Sequence, residues 1–188
     1  MKKHLFNKSL RVLLLTNAFI LFAGAMLGPI YAIFVEDIGG HVLEAGLAGA
    51  VFALAAGITS LFSGYVADKM KNRVLIVVIG YMVMGAGFLF YNWVNSIATL
   101  FLAQIVIGIG EALYSPAFDL VYTRHLDKGK AGKQWGGWES MNYFTVALGA
   151  GFGGWLAYRW GFTPLFVIMS GLCLISSLYL LLLPKKLF

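Results

Sequence analysis

The sequence predicts an all-α polytopic membrane protein whose six transmembrane helices form two inverted three-helix repeats. Three observations predict this fold class: the composition, six long apolar stretches and an internal similarity. Of 188 residues, 60% are hydrophobic and only 12% are charged, whereas soluble domains are about 45–50% apolar and about 25% charged. This composition excludes a soluble enzyme and a disordered region. A disulfide scaffold is also excluded, since the single cysteine, Cys173, cannot form an internal bridge.

Six stretches have the length and apolar character of membrane-crossing helices, which need about 20 mostly apolar residues. They are called spans 1 to 6 and lie near residues 10–35, 46–66, 74–93, 97–122, 136–158 and 162–183. Span 1 exceeds the roughly 7–15-residue apolar core of a secretory signal, and no small-residue cleavage site ends it, so we expect it to be retained. The connections are short, and residues 1–188 are therefore predicted to form one six-helix domain.

The basic residues predict the orientation. With six spans both termini lie on one side of the membrane, and that side receives all of the 14 Lys and Arg residues except Arg159. The first outer loop carries the acidic residues Glu36, Asp37 and Glu44. Because positive charge is retained in the cytoplasm during insertion, both termini are predicted to be cytoplasmic, in a bacterial inner membrane. This distribution accounts for the net charge of +6 without a nucleic-acid partner.

The sequence also contains an internal similarity that predicts two repeated units. Residues 64–69 (GYVADK) close span 2 and residues 154–159 (GWLAYR) close span 5, and an apolar span follows each after a short turn. The two units cover about residues 10–93 and 97–183. Because each has an odd number of spans, the second must enter the membrane upside down. Inverted repeats are typical of transporters, with substrate sites near the midplane where repeats meet; chance recurrence of small residues is the alternative.

The loop between spans 2 and 3 resembles motif A of the major facilitator superfamily, G-x-x-x-D-(R/K)-x-G-x-(R/K)-(R/K). Four residues match it: Gly64, Asp68, Lys69 and Arg73. Lys71 stands at the motif glycine and Val74 at its last basic position. The resemblance implies a six-helix half-size unit similar to the amino-terminal half of such transporters. It also implies a cytoplasmic gate in which Asp68 and Arg73 pair with Asp119; a solvated loop that only sets topology is the alternative.

Two other family motifs match poorly. Four residues before Gly108, where the family has arginine, this chain has Gln104, and the glycines of span 5 lack the Gly-Pro pair of the antiporter motif. The proton-coupling role of the family arginine therefore cannot be transferred directly to Gln104.

Polar residues inside the spans are the candidates for a substrate or proton cavity, because buried carboxylates in membranes are costly and usually functional. On span 4, Gln104, Glu111 and Ser115 share one helical stripe, and the resemblance implies that spans 1 and 4 line the cavity. Glu139 either lines the cytoplasmic vestibule or extends to the headgroups, and Glu111 either carries a proton or only bonds a neighbouring helix. The predicted cavity residues are Glu111, Gln104, Ser115, Asn17, Leu21, Tyr31 and Glu139.

These observations predict a secondary transporter of small molecules that works by alternating access, with proton-coupled efflux as one option. The predicted partners are a small-molecule substrate, protons and the lipid bilayer, and we expect no enzymatic activity, cofactor or metal site. The predicted working unit is a parallel homodimer joined through spans 2 and 5 by small residues: Gly46, Gly49, Ala50, Gly149 and Gly153. The alternatives are the amino-terminal half of a longer transporter and a non-transporting membrane interaction protein.

Overall fold

The computed structural model describes residues 5–184 and 187–188, and within them it is helical without β-strands. The helices are α1 (Lys8–Leu27), α2 (Tyr31–Asp37), α3 (Val42–Lys69), α4 (Arg73–Phe90), α5 (Ile97–Arg124), α6 (Ala131–Trp160) and α7 (Phe162–Leu182). A 3₁₀ turn, Gly28–Ile30, joins α1 to α2, and another, Tyr91–Trp93, follows α4. Four of the basic residues behind the predicted orientation lie outside the described residues: Lys2, Lys3, Lys185 and Lys186.

Each predicted span coincides with a helix. Span 1 corresponds to α1 and α2 together, and spans 2 to 6 correspond to α3 to α7 in order. Among the described residues, five stretches are long and apolar enough to cross a membrane: Lys8–Asp37, Val42–Lys69, Arg73–Trp93, Ile97–Arg124 and Phe162–Leu182. The 30-residue α6 is not among them, because its glycines and polar residues such as Glu139 and Asn142 lower its hydropathy. A polytopic membrane protein is thus confirmed, whereas the sixth crossing stays a prediction.

The helices form a bundle with two peripheral members. α5 packs against α3 and α4, α1 packs against α6 and α7, and α4 joins the two groups through α7. Few residues of α3 and α6 are buried: Ala48, Ser63, Ala67, Gln134, Gly149, Gly153 and Leu156. The core therefore lies among α1, α4, α5 and α7, and α3 and α6 each leave a broad apolar face uncovered.

Glycines allow the peripheral helices to approach their neighbours closely. A Cβ added to Gly108 of α5 would lie 2.6 Å from the carbonyl oxygen of Phe52 on α3. A Cβ on Gly149 would lie 2.7 Å from the carbonyl oxygen of Phe22 on α1, and a Cβ on Gly153 would overlap the backbone of Met26. Gly149 and Gly153 thus serve contacts within the chain, so the prediction that they join two copies is wrong.

Pro116 lies inside α5 without ending it. Proline has no N–H, so the carbonyl of Ala112, four residues earlier, loses its helical partner. The hydroxyl of Ser63 on α3 donates to that carbonyl instead, at 2.5 Å. Pro29, by contrast, lies in the 3₁₀ turn that separates α1 from α2.

Candidate functional site

A cavity of about 350 Å³ lies between α1, α3, α4, α5 and α7. Its wall is mostly apolar and aromatic, including Phe52, Phe88 and Tyr91, and polar groups come from only a few side chains. A concave, largely apolar space with a few placed polar groups is typical of small-molecule sites. Three predicted cavity residues meet in its lining: Tyr31, Gln104 and Glu111.

Gln104 links two tyrosines of the cavity wall by hydrogen bonds. Its side-chain amide donates hydrogen bonds to the hydroxyl oxygen of Tyr31 at 2.6 Å and of Tyr91 at 3.2 Å. Gln104 is buried, with 7% of its surface exposed. The family arginine at this position would add a charge, whereas glutamine supplies neutral donors that orient two tyrosines around the cavity.

Among the described residues, Glu111 is the only carboxylic acid in the lining, and no basic residue lines the cavity. No described lysine, arginine or histidine nitrogen lies within 4.0 Å of its carboxylate. A carboxyl group without a cationic partner, among apolar and aromatic side chains, can bind a cation or take up a proton. Glu111 is therefore the group through which this cavity would recognise charge.

Four other predicted cavity residues lie outside this lining. Asn17 is buried in the bundle, where its side-chain oxygen accepts a hydrogen bond from Trp138 Nε1 at 3.1 Å and its amide donates to Tyr81 at 3.5 Å. Leu21 and Ser115 are half-buried and Glu139 is exposed, and none of them lines the cavity. Sequence reasoning missed Tyr91, since nothing in the sequence indicates that a tyrosine just after α4 faces Gln104.

The predicted gate is not closed by side-chain ion pairs in this structure. The guanidinium of Arg73 donates to the backbone oxygen of Asp68 at 3.2 Å. The exposed carboxylates of Asp68 and Asp119 make no ion pair with a described basic residue. Gly64 has open space beside it, and Lys69 contacts the ring and hydroxyl of Tyr65. The role of these residues in gating stays a prediction.

A polar network that sequence reasoning missed joins the start of α1 to the loop between α5 and α6. The fully buried amide of Gln134 donates to the backbone oxygen of Leu5 at 2.8 Å and to the Asp127 carboxylate at 3.0 Å. Its side-chain oxygen accepts from the backbone N–H of Asp127 at 2.9 Å. Asn7 adds hydrogen bonds to the backbone oxygen of His125 and, at 3.4 Å, to the Asp127 carboxylate.

Hydrogen bonds from Asn7 and Lys130, with a further one from Gln134, hold the pKa of the Asp127 carboxyl below its ordinary value. Lys130 also forms an ion pair with it at 3.3 Å. These contacts stabilise the folded state through the ionised Asp127 carboxylate. Because the folded-state pKa is depressed, this stabilisation is present above the ordinary pKa of aspartate and is lost as the pH falls through the depressed value.

Replacing Gln134 by alanine is expected to destabilise the bundle by about 1–3 kcal/mol, because the hydrogen bonds from its buried side chain to Leu5 and Asp127 are lost. Thermal unfolding in detergent measures the effect. Lys133→Ala is the matched control, since Lys133 is the exposed preceding residue. Equal melting temperatures for the two variants would show that the network contributes nothing.

Comparison with known proteins shows the family to which the chain belongs. A family model described as Major Facilitator Superfamily matches residues 13–187. The chain is 25% identical over 172 residues to the uncharacterized MFS-type transporter MJ1560 of Methanocaldococcus jannaschii, covering 92% of this chain and 44% of the relative. It is 26% identical over 183 residues to the quinolone resistance protein NorA of Staphylococcus aureus, covering 96% of this chain and 47% of that protein. The chain thus spans about half the length of these relatives. Because the family model matches the chain almost from end to end, the protein belongs to the Major Facilitator Superfamily.

Proposed function

We propose that this protein is part of a secondary transporter that moves small molecules by alternating access, with the cavity around Glu111 on the substrate path. The observation that carries the proposal is the meeting of Glu111, Gln104 and Tyr31 in one cavity. Tyr31 comes from the first predicted repeat and the other two from the second. Substrate sites of inverted-repeat transporters lie where the repeats meet.

The lining favours an aromatic substrate that carries positive charge. Aromatic rings of Phe52, Phe88 and Tyr91 offer flat apolar surfaces that attract cations through their faces. Glu111 supplies the negative charge, and none of the described lining residues is a cation that could compete for it. The name of the staphylococcal relative, a quinolone resistance protein, also fits efflux of an aromatic compound. A proton taken up by Glu111 when the substrate leaves would couple the two movements.

The pattern of helix neighbours supports the inverted repeat. In the predicted repeat, spans 1, 2 and 3 correspond to spans 4, 5 and 6. α5 packs on α3 and α4 as the corresponding α1 packs on α6 and α7. Since α6 then corresponds to the apolar α3, we also propose that α6 crosses the membrane, which places both termini on the cytoplasmic side of a bacterial inner membrane.

The uncovered faces of α3 and α6 support a second six-helix unit. Exposed residues on them include Leu54, Leu61, Phe144 and Leu148. In two-half transporters the halves are related by an axis along the membrane normal, and two copies inserted the same way up can meet in this manner. We therefore propose a parallel homodimer through α3 and α6, with Gly46 and Gly49 open to a partner. The alternative occupant is the second half of a longer chain, because the relatives are about twice as long.

Crosslinking and transport together test the proposal. In a Cys173→Ser background, Leu54→Cys with Leu148→Cys should crosslink two chains in membranes, because both positions lie on the uncovered faces. Leu54→Cys with Leu178→Cys is the matched control, since the exposed Leu178 lies on α7. Proteoliposomes of the same protein should move the aromatic cation ethidium when a pH gradient is imposed.

The outcomes distinguish a homodimeric transporter, one half of a longer transporter and a non-transporting interaction protein. Crosslinked dimers that transport ethidium support the homodimer. A monomer that transports only after the second half is supplied would overturn the homodimer in favour of a longer transporter. Intact dimers without transport of ethidium or of a quinolone, with or without a pH gradient, would favour the non-transporting interaction protein.

A further inference from the structure

A second cavity, of about 460 Å³, lies at the end of the bundle where α4 begins and where α5 and α7 end. Its polar lining is basic: the ionisable side chains are Lys71, Arg73, Arg124 and His125, and no acidic residue is among the described residues that line it. Among the described residues, this cavity shares no lining residue with the substrate cavity, and Arg73 is its one member of the predicted gate. Its charge predicts an anionic ligand.

Arg73 has an unused hydrogen-bond donor here. One terminal nitrogen of its guanidinium donates to the Asp68 backbone oxygen at 3.2 Å, but the buried Nε has no partner among the described residues. A buried donor without an acceptor is costly, the more so on a charged group. The guanidinium fork matches the paired oxygens of phosphate and carboxylate groups. The Arg73 guanidinium, which lines the cavity, is therefore suited to an anionic ligand.

Helix dipoles do not account for the four basic residues. Arg124 and His125 lie at the carboxyl end of α5, where positive charge is stabilising. Lys71 and Arg73, however, flank the amino end of α4, where the dipole disfavours cations. Asn72 at that end makes no capping hydrogen bond, so the end itself also favours an anion. All three helices that meet here are long and apolar enough to span a membrane, which places their ends at the level of lipid headgroups.

The remainder of the cavity wall is apolar. Val74, Leu75, Val78 and Leu181 line it, and Leu75 and Leu181 are also exposed on the outer surface of the bundle. An anion with an acyl chain attached would satisfy both parts of the wall at once. Basic pockets between membrane helices on the cytoplasmic side are known to take anionic lipid headgroups. We propose that this cavity binds the phosphate headgroup of an anionic phospholipid, with its acyl chains lying against the apolar wall.

Lipid binding to the detergent-purified chain, followed by native mass spectrometry, tests this assignment. Phosphatidylglycerol should bind more tightly than the zwitterionic phosphatidylcholine. Arg73→Gln and Arg124→Gln should each weaken phosphatidylglycerol binding about fivefold, the effect of one surface cation on an anionic lipid. Lys128→Gln is the matched control, because Lys128 is an exposed loop residue outside the cavity, and it should bind as the parent does.

Three results would overturn the proposal. Equal affinity for the two lipids would remove the charge recognition. Equal affinity of the Arg73, Arg124 and Lys128 variants would place the lipid elsewhere. Displacement of the lipid by glycerol phosphate at the same concentration would assign the cavity to a soluble phosphate. If Arg73→Gln does not fold, Arg73→Lys and Arg124→Gln provide the comparison, with Arg73→Lys expected to bind more tightly than Arg124→Gln.

Discussion

Replacing Gly153 by alanine is expected to separate α6 from α1 and to lower the stability of the bundle by about 1–3 kcal/mol, the usual cost of overpacking. The added Cβ would overlap backbone atoms of Met26. Backbone cannot rotate away as a flexible side chain can, so the two helices must move apart. The contact between them is the main support of α6. Thermal unfolding in detergent measures the loss.

The control for this variant lies next to it in the chain. Gly154→Ala places a Cβ in open space on the same helix, where alanine is favoured over glycine by about 1 kcal/mol in a helix. The two variants should therefore differ in the sign of their effect. If Gly153→Ala is as stable as Gly154→Ala, the close approach of α1 and α6 is wrong.

Replacing Glu111 by glutamine is expected to reduce ethidium transport in proteoliposomes at least tenfold and to remove its dependence on a pH gradient. Glutamine keeps the shape and hydrogen-bonding capacity of the side chain but can neither carry charge nor take up a proton. Because Glu111 is the only carboxyl group that the described residues contribute to the cavity lining, no neighbour there replaces it. This prediction rests on the proposed transport function.

The matched control is Glu36→Gln, since Glu36 is an exposed carboxylate on α2 outside the cavity. It should transport as the parent does. Unchanged unfolding temperatures of both variants would assign the loss to the site rather than to folding. Full, pH-dependent transport by Glu111→Gln would exclude this carboxyl from the mechanism.

The helices could be predicted from the sequence because membranes impose a simple rule: backbone polar groups must be satisfied within each apolar segment. The predicted limits therefore agree with the structure to within a few residues in most spans, as in α5 and α7. The break at Gly28–Ile30 was not predicted, and the prolines alone do not indicate it, because Pro116 leaves α5 continuous while Pro29 lies in a 3₁₀ turn. Which proline interrupts a helix depends on tertiary contacts.

The candidate site was only partly predictable. Helical periodicity placed Gln104 and Glu111 on one stripe, and both line the cavity. The same periodicity placed Ser115 there, but the cavity ends before it. Asn17 was predicted to face the cavity because it is a polar residue of span 1, which the resemblance places on the cavity wall, whereas Trp138 from α6 contacts it in the interior. Partners that are distant in sequence, such as Gln134 and Leu5, leave no periodic signal in the chain.

The hydrogen bond from Ser63 to Ala112 has a mechanical consequence. Ala112 directly follows Glu111, so the backbone beside the cavity carboxyl is fastened to α3. A helix that lacks one internal hydrogen bond at a proline is compliant there, and the hydroxyl from α3 stiffens that point. We therefore expect a movement of α3 to be passed on to the turn of α5 that carries Glu111. The angle at which Glu111 enters the cavity would then change with the position of α3.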